Sequence, residues 1–182
     1  MGEISGPQKA KLFCGLLLSN TLLLQPALKA LSEHFGKIDI QTQPIDFTFT
    51  KYYNTEMGED IKRLWVSFEN LILPDELAQI KLTANNIEEA FSSNSRRHVN
   101  VDPGYITPAN VVLASTKNFS HRIYLSDGIY GEVTLMYQHE DYIKLAWSYP
   151  DYSSSHGKTF LLECRKILMP QLKSSTPAQE KL

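Results

Sequence analysis

Leu12 to Leu18 is one continuous apolar run, the pattern of a central strand covered on both faces. Leu24, Ala27, Leu28, Leu31 and Phe35 then recur at helical spacing. They predict a helix from Thr21, as its cap, to Phe35, with Pro26 near the first turn and Gly36 as the stop. Residues 38–50 read as extended and bent at Pro44, and residues 52–60 as a loop. Leu64, Val66 and Phe68 alternate with Arg63, Trp65 and Ser67, so residues 62–69 read as a strand. Pro74, Asp75 and Glu76 suit a helix start, and Leu77, Ile80, Ala84, Ile87 and Phe91 carry that helix to about residue 92.

After His98 the period becomes two. Asp102-Pro103-Gly104 reads as a turn, and Val111–Ser115 as a strand. Two hairpins follow, turning near Ser126-Asp127-Gly128 and His139-Glu140-Asp141, and a last helix covers 158–168. The sum predicts an α+β fold. A ferredoxin-like βαββαβ core is extended by a C-terminal β-meander and a final helix, on a mainly antiparallel sheet with helices mostly on one face. The expected organisation is one domain over 1–173 and a disordered tail over 174–182.

The first hairpin's register follows from its side chains. A two-residue Asp127-Gly128 loop would set Ile123 opposite Glu132 and Arg122 opposite Val133, mixing apolar and charged residues on both faces. A three-residue loop with Gly128 in αL keeps Ile123, Leu125 and Ile129 together. Arg122 then faces Glu132, and Tyr124 faces Tyr130. Thr134, Lys144 and Ser148 share that polar side, while His121 falls on the side of Ile123.

Composition narrows the function without naming it. The chain has 182 residues, 42% hydrophobic and 21% charged, an ordinary globular balance. A net charge of −2 offers no basic surplus, so general nucleic-acid binding is not expected. The run at Leu12 is too short for a membrane span and lacks a cleavage pattern, so a cytoplasmic protein without membrane association is expected. Cys14 and Cys164 lack metal-ligand spacing and read as reduced, buried thiols.

Several strings carry a resemblance: Asn-Val-Asp-Pro-Gly-Tyr at 100–105, Ala-Ser-Thr-Lys-Asn-Phe-Ser-His-Arg-Ile-Tyr-Leu at 114–125, Gly-Ile-Tyr-Gly-Glu-Val-Thr-Leu at 128–135 and Trp-Ser-Tyr-Pro-Asp-Tyr at 147–152. With Phe-Thr-Lys-Tyr-Tyr and Glu-Met-Gly in 49–58, they resemble a prokaryotic domain-of-unknown-function family. Members are often labelled GTP-binding proteins, and the resemblance implies that label. It implies no reaction and no catalytic residue. A P-loop is not supported: Gly157-Lys158-Thr159 has Tyr152 where the motif needs its first Gly. Thr116-Lys117-Asn118 lacks the order of a guanine-specificity motif.

The candidate chemistry is an anion clamp. Arg122, oriented by Glu132, and Lys117 would hold a phosphate; Asn118 and Ser120 would donate, and Tyr124 would pack on the ligand. A pair of complementary neighbours on a solvated face is the alternative for Arg122 and Glu132. His121 or Asp102 would move protons; a sheet-edge histidine and an Asx-capped turn are their structural alternatives. Asp46, Asp102 and Asp151 would form a Mg²⁺ site only if they converge, as a hydrolase would need. GTP or another nucleotide is the expected ligand class. A non-catalytic interaction or homo-oligomeric assembly module, built on Tyr52, Tyr53, Tyr105, Tyr124, Tyr149 and Tyr152, is the second class.

Overall fold

The computed structural model describes residues 2, 4–94 and 96–175. Strand β1 (Ala10–Leu18) is buried along its whole length, as its unbroken apolar run requires. A 3₁₀ turn (Thr21–Leu23) leads into helix α1 (Leu24–Phe35). Asn20 caps this entry in place of Thr21, its side chain accepting from the Leu22 N–H at 2.9 Å. Gly36 stops α1 with φ +91°, a backbone region that disfavours a Cβ.

Strands β2 (Ile38–Gln41) and β3 (Ile45–Asp46) flank the bend, and the following loop contains one helical turn, α2 (Asn54–Met57). Strand β4 (Lys62–Ile72) leads through a 3₁₀ turn (Pro74–Glu76) to α3 (Leu77–Ala90). A small ribbon, β5 (Ser92–Ser93) with β6 (Arg96–Arg97), precedes β7 (Val99–Ile106) and β8 (Asn110–Ser115). The meander β9 (Ile123–Ser126), β10 (Ile129–Gln138) and β11 (Asp141–Lys144) ends at α4 (Ser155–Ser175). Helix α4 is longer at both ends than its apolar pattern predicts. Ser154 Oγ accepts from the Gly157 N–H at 3.1 Å and secures its start. Ser174 and Ser175, expected in a disordered tail, belong to this helix; the rest of that tail, 176–182, lies outside the described residues.

The main sheet runs β11-β10-β8-β7-β1-β4-β2, with β3 also on β4 and β9 also on β10; its pairings are antiparallel. Helices α1 and α3 share one of its faces, and α4 covers the other, so β1 is covered on both sides as its apolar run predicts. Leu12, Cys14, Leu16 and Leu18 pack with α1 and α3, while Phe13 packs with Trp65, Phe160, Leu161 and Leu168 toward α4. Burying one such side chain contributes about 1.5–3 kcal/mol, which makes β1 the spine of the fold.

Two turns differ from expectation. Asp102-Pro103-Gly104 is no turn; it lies inside β7, opposite Gly15, Cys14 and Phe13 of β1. The real turn follows at Thr107–Asn110, closed by Thr107 N–H to Asn110 O at 2.9 Å. Gly104 is needed where β8 presses close, because a Cβ there collides with the Val112 carbonyl. The β9–β10 loop has two residues, with φ +51° at Asp127 and +77° at Gly128. A bulge then shifts the register, so Tyr124 still faces Tyr130. The bulge supplies what a third loop residue was expected to supply.

Candidate functional site

A cleft of about 640 Å³ opens where the β7–β8 hairpin comes apart. The two strands pair only from Gly104↔Leu113 to Ile106↔Val111. Continued, that register would set Asp102 opposite Ser115 and Asn100 opposite Lys117. Instead α3 inserts polar side chains beside β7. The Val101 N–H donates to Glu88 Oε1 at 2.8 Å, and its carbonyl accepts from Lys81 Nζ at 2.8 Å. Two helix side chains thus satisfy backbone groups that a neighbouring strand would otherwise take.

One wall is a continuous polar chain. Arg97 grips Glu56 through Nε at 2.6 Å and Nη2 at 2.8 Å, and its Nη1 donates to Glu88 at 3.0 Å and Asn100 at 2.9 Å. Asn100 Nδ2 donates to Asp102 Oδ2 at 3.0 Å. Arg63 Nη1 lies 3.4 Å from the same oxygen, and its Nη2 lies 2.6 Å from Asp151 Oδ2. Arg63 is 1% exposed, and its guanidinium sits over Trp65 and Tyr152. Burial works against its charge, but Tyr152, Asp151 and Asp102 outweigh that and raise its pKa. Gly15 leaves the space for this arrangement, since a Cβ there collides with the Tyr152 hydroxyl and the Arg63 guanidinium.

The other wall is built by the β8–β9 loop and β10. Arg122 Nε donates to Glu132 Oε2 at 2.7 Å, and Nη1 to Ser115 Oγ at 3.0 Å and the Lys117 carbonyl at 2.8 Å. Nη2 reaches the Tyr149 hydroxyl at 2.8 Å. Burial pushes the Tyr149 phenol up to about 12, so it stays a proton donor across the physiological range. Lys117 Nζ donates to the Tyr52 hydroxyl at 2.8 Å, joining the two loops at the mouth and lowering the Tyr52 pKa. Phe47, Phe49, Tyr53 and Phe119 add ring surface.

Among the residues expected at the site, Arg122, Glu132, Lys117, Asn118 and Asp102 line this cleft. The Arg122–Glu132 pair forms, but not on a solvated face: Glu132 is 2% exposed. Tyr124 is not among the lining residues; it stacks edge-on against Tyr130 and is 57% exposed. Lys144 also faces away, opposite Leu135 and exposed. His121 was expected on the side of Ile123. Its Nε2 instead lies 3.1 Å from Glu132, and its ring stacks on Trp147. The reason is that β9 begins only at Ile123, so strand alternation does not govern residues 119–122, which form a turn.

Asp102 does not cap a turn through its side chain. It meets Asp151 across Arg63, while Asp46 is paired with Lys62 and is not among the lining residues. Among the described residues, no three His, Cys, Asp or Glu side chains come together as a metal site. Arg63, Arg97, Asn100 and Lys81 had no assigned role. For Arg63 a signal existed: it alternates in phase with Trp65, and a residue sharing a face with a buried tryptophan is itself placed to be buried.

No helix among the described residues is long and apolar enough to cross a membrane. No curated protein and no solved structure matches the chain. Residues 8–168 match a family described as Domain of unknown function (DUF4416), a span that contains every residue of the cleft. The chain belongs to that family.

Proposed function

We propose that the cleft binds a phosphorylated small molecule, with a nucleotide such as GTP as the fuller form of that ligand. The observation that carries the reading is Lys117 at the mouth of the cleft: its ammonium donates to the Tyr52 hydroxyl and has no carboxylate partner among the described residues, whereas Arg63, Lys81, Arg97 and Arg122 are already paired with carboxylates. In this reading Lys117 and the remaining Nη2 donor of Arg122 meet the phosphate, Glu132 fixes Arg122, and Tyr52, Tyr53 and Phe119 offer rings to a base. Asn118 supplies a neutral donor. His121, hydrogen-bonded to Glu132, would modulate the clamp rather than act as an independent base.

The strand order β7-β1-β4-β2, with α1 and α3 on one face, supports a ferredoxin-like core beneath this site. Two free, buried cysteines support a reducing, cytoplasmic setting.

The test is a thermal-shift panel of nucleotides and sugar phosphates. A rise in melting temperature is expected with at least one of them, and Lys117→Ala is expected to remove it. No shift by any phosphate ligand with the intact protein counts against the reading.

A second reading rests on another observation. Ile123, Tyr124, Leu125, Met136 and Ile143 are all exposed on the β9–β11 end of the sheet, a surface suited to protein contact or self-association. Light scattering that shows a monomer at high concentration removes the self-association form.

A further inference from the structure

The two walls of the cleft leave opposite kinds of hydrogen-bonding group open. On the β7 wall, Asp102 Oδ2 is held by Asn100 and Arg63, whereas Oδ1 has no partner among the described residues. The Asp102 side chain is 29% exposed, and it lines the cleft. That oxygen is an acceptor left open on a residue that lines the cleft. On the other wall, Lys117 gives one N–H to Tyr52 and keeps two donors.

A phosphate alone suits Lys117 but not Asp102, where two negative charges would meet. A ligand suiting both carries a phosphate at one end and a neutral donor at the other. A hydroxyl fits better than an ammonium, because the Arg63 guanidinium, 3.4 Å from Asp102, repels a second cation.

We propose that Asp102 is a specificity-determining residue of this cleft, accepting a hydrogen bond from a sugar hydroxyl of a ligand whose phosphate is held by Lys117. The proposal rests on the phosphate-binding reading and adds the substrate class and its orientation. Asn100 and Arg63 act as positioning residues, fixing Oδ2 so that Oδ1 points at the sugar.

Isothermal titration with three probes tests it: ribose 5-phosphate, butyl phosphate, which keeps the charge and drops the hydroxyls, and inorganic phosphate. The intact protein is expected to bind ribose 5-phosphate about tenfold more tightly than butyl phosphate, the scale of one hydrogen bond to a charged group. Asp102→Asn is expected to erase that ratio while leaving butyl phosphate affinity unchanged or improved. Lys117→Ala is expected to weaken all three probes. Equal affinities for ribose 5-phosphate and butyl phosphate in the intact protein overturn the assignment of Asp102 but leave the phosphate site standing. So does an Asp102→Asn protein that retains the ratio. Failure of all three probes to bind removes the phosphate reading and this proposal with it. If Asp102→Asn does not fold, as judged by circular dichroism, the ratio in the intact protein decides alone.

Discussion

Arg63 and Arg122 stand on different walls of one cleft, and their surroundings differ. Arg63 is fully enclosed, and its carboxylate partners come from distant parts of the chain, Asp102 on β7 and Asp151 before α4. Its Nε has no hydrogen-bond partner among the described residues. Arg122 is held through Nε and Nη1 by residues near in sequence, Glu132, Ser115 and Lys117, and through Nη2 by Tyr149, 27 residues away. The first is a charge locked into the core by tertiary structure. The second is a turn-and-hairpin device whose carboxylate is buried and whose guanidinium is shared among four partners. A buried ion pair is costly to break because the surviving charge has no water to return to. A guanidinium held by four partners keeps the others when one is lost.

That contrast can be broken in order of expected effect. Arg63→Ala leaves the buried Asp151 carboxylate without its cation and is expected to destabilise the fold by about 3–5 kcal/mol, read from urea unfolding. A loss under about 1 kcal/mol would show that the deep network does not hold the fold. Glu132→Ala removes the acceptor shared by Arg122 and His121 and is expected to cost about 1.5–3 kcal/mol in the same measurement. A Glu132 effect larger than that of Arg63 would reverse the comparison.

Next comes acid. Glu56 is held below its ordinary value of 4.5, first by its hydrogen bond from Arg97 and further by the guanidinium's charge. A carboxyl whose folded pKa is depressed stabilises above its unfolded value and loses that contribution as pH falls through the folded one. The stability difference between the intact protein and Glu56→Gln should therefore hold from neutral pH down to the unfolded value of 4.5 and shrink as pH falls below it. A constant difference would mean that the Arg97 pair contributes nothing. The smallest expected effect is Lys117→Ala, which should leave the unfolding midpoint unchanged because the side chain is exposed and only joins two loops. A clear loss of stability would make Lys117 a structural strap rather than a ligand contact.

The same division between local and distant partners governs what was legible in the chain. The Arg122–Glu132 and Tyr124–Tyr130 pairings follow from alternation across one hairpin, and the structure has both. His121 was misplaced because alternation was extended one turn too far, into residues that do not form a strand. Asp102-Pro103-Gly104 misled for another reason. Its composition is that of a turn, yet β1 and β8 hold it extended, and Gly104 serves strand contact instead. Arg97 drew no role from its neighbours in the chain, because its carboxylate partners Glu56 and Glu88 reach it from two other elements.

By itself, the sequence determined the buried spine at Leu12–Leu18, the α1 and α3 faces, the meander and its Arg122–Glu132 pair, because each depends on periodicity or neighbours a few residues apart. Only the tertiary structure decided that β7 and β8 part beyond Gly104. It alone decided that α3 fills the gap with Lys81 and Glu88, and that Asp102 and Asp151 meet across Arg63. Those facts depend on strand divergence and on contacts between segments far apart in the chain. Local spacing carries no record of either, because a backbone group left unpaired by one strand can be satisfied by any side chain that the fold brings within reach.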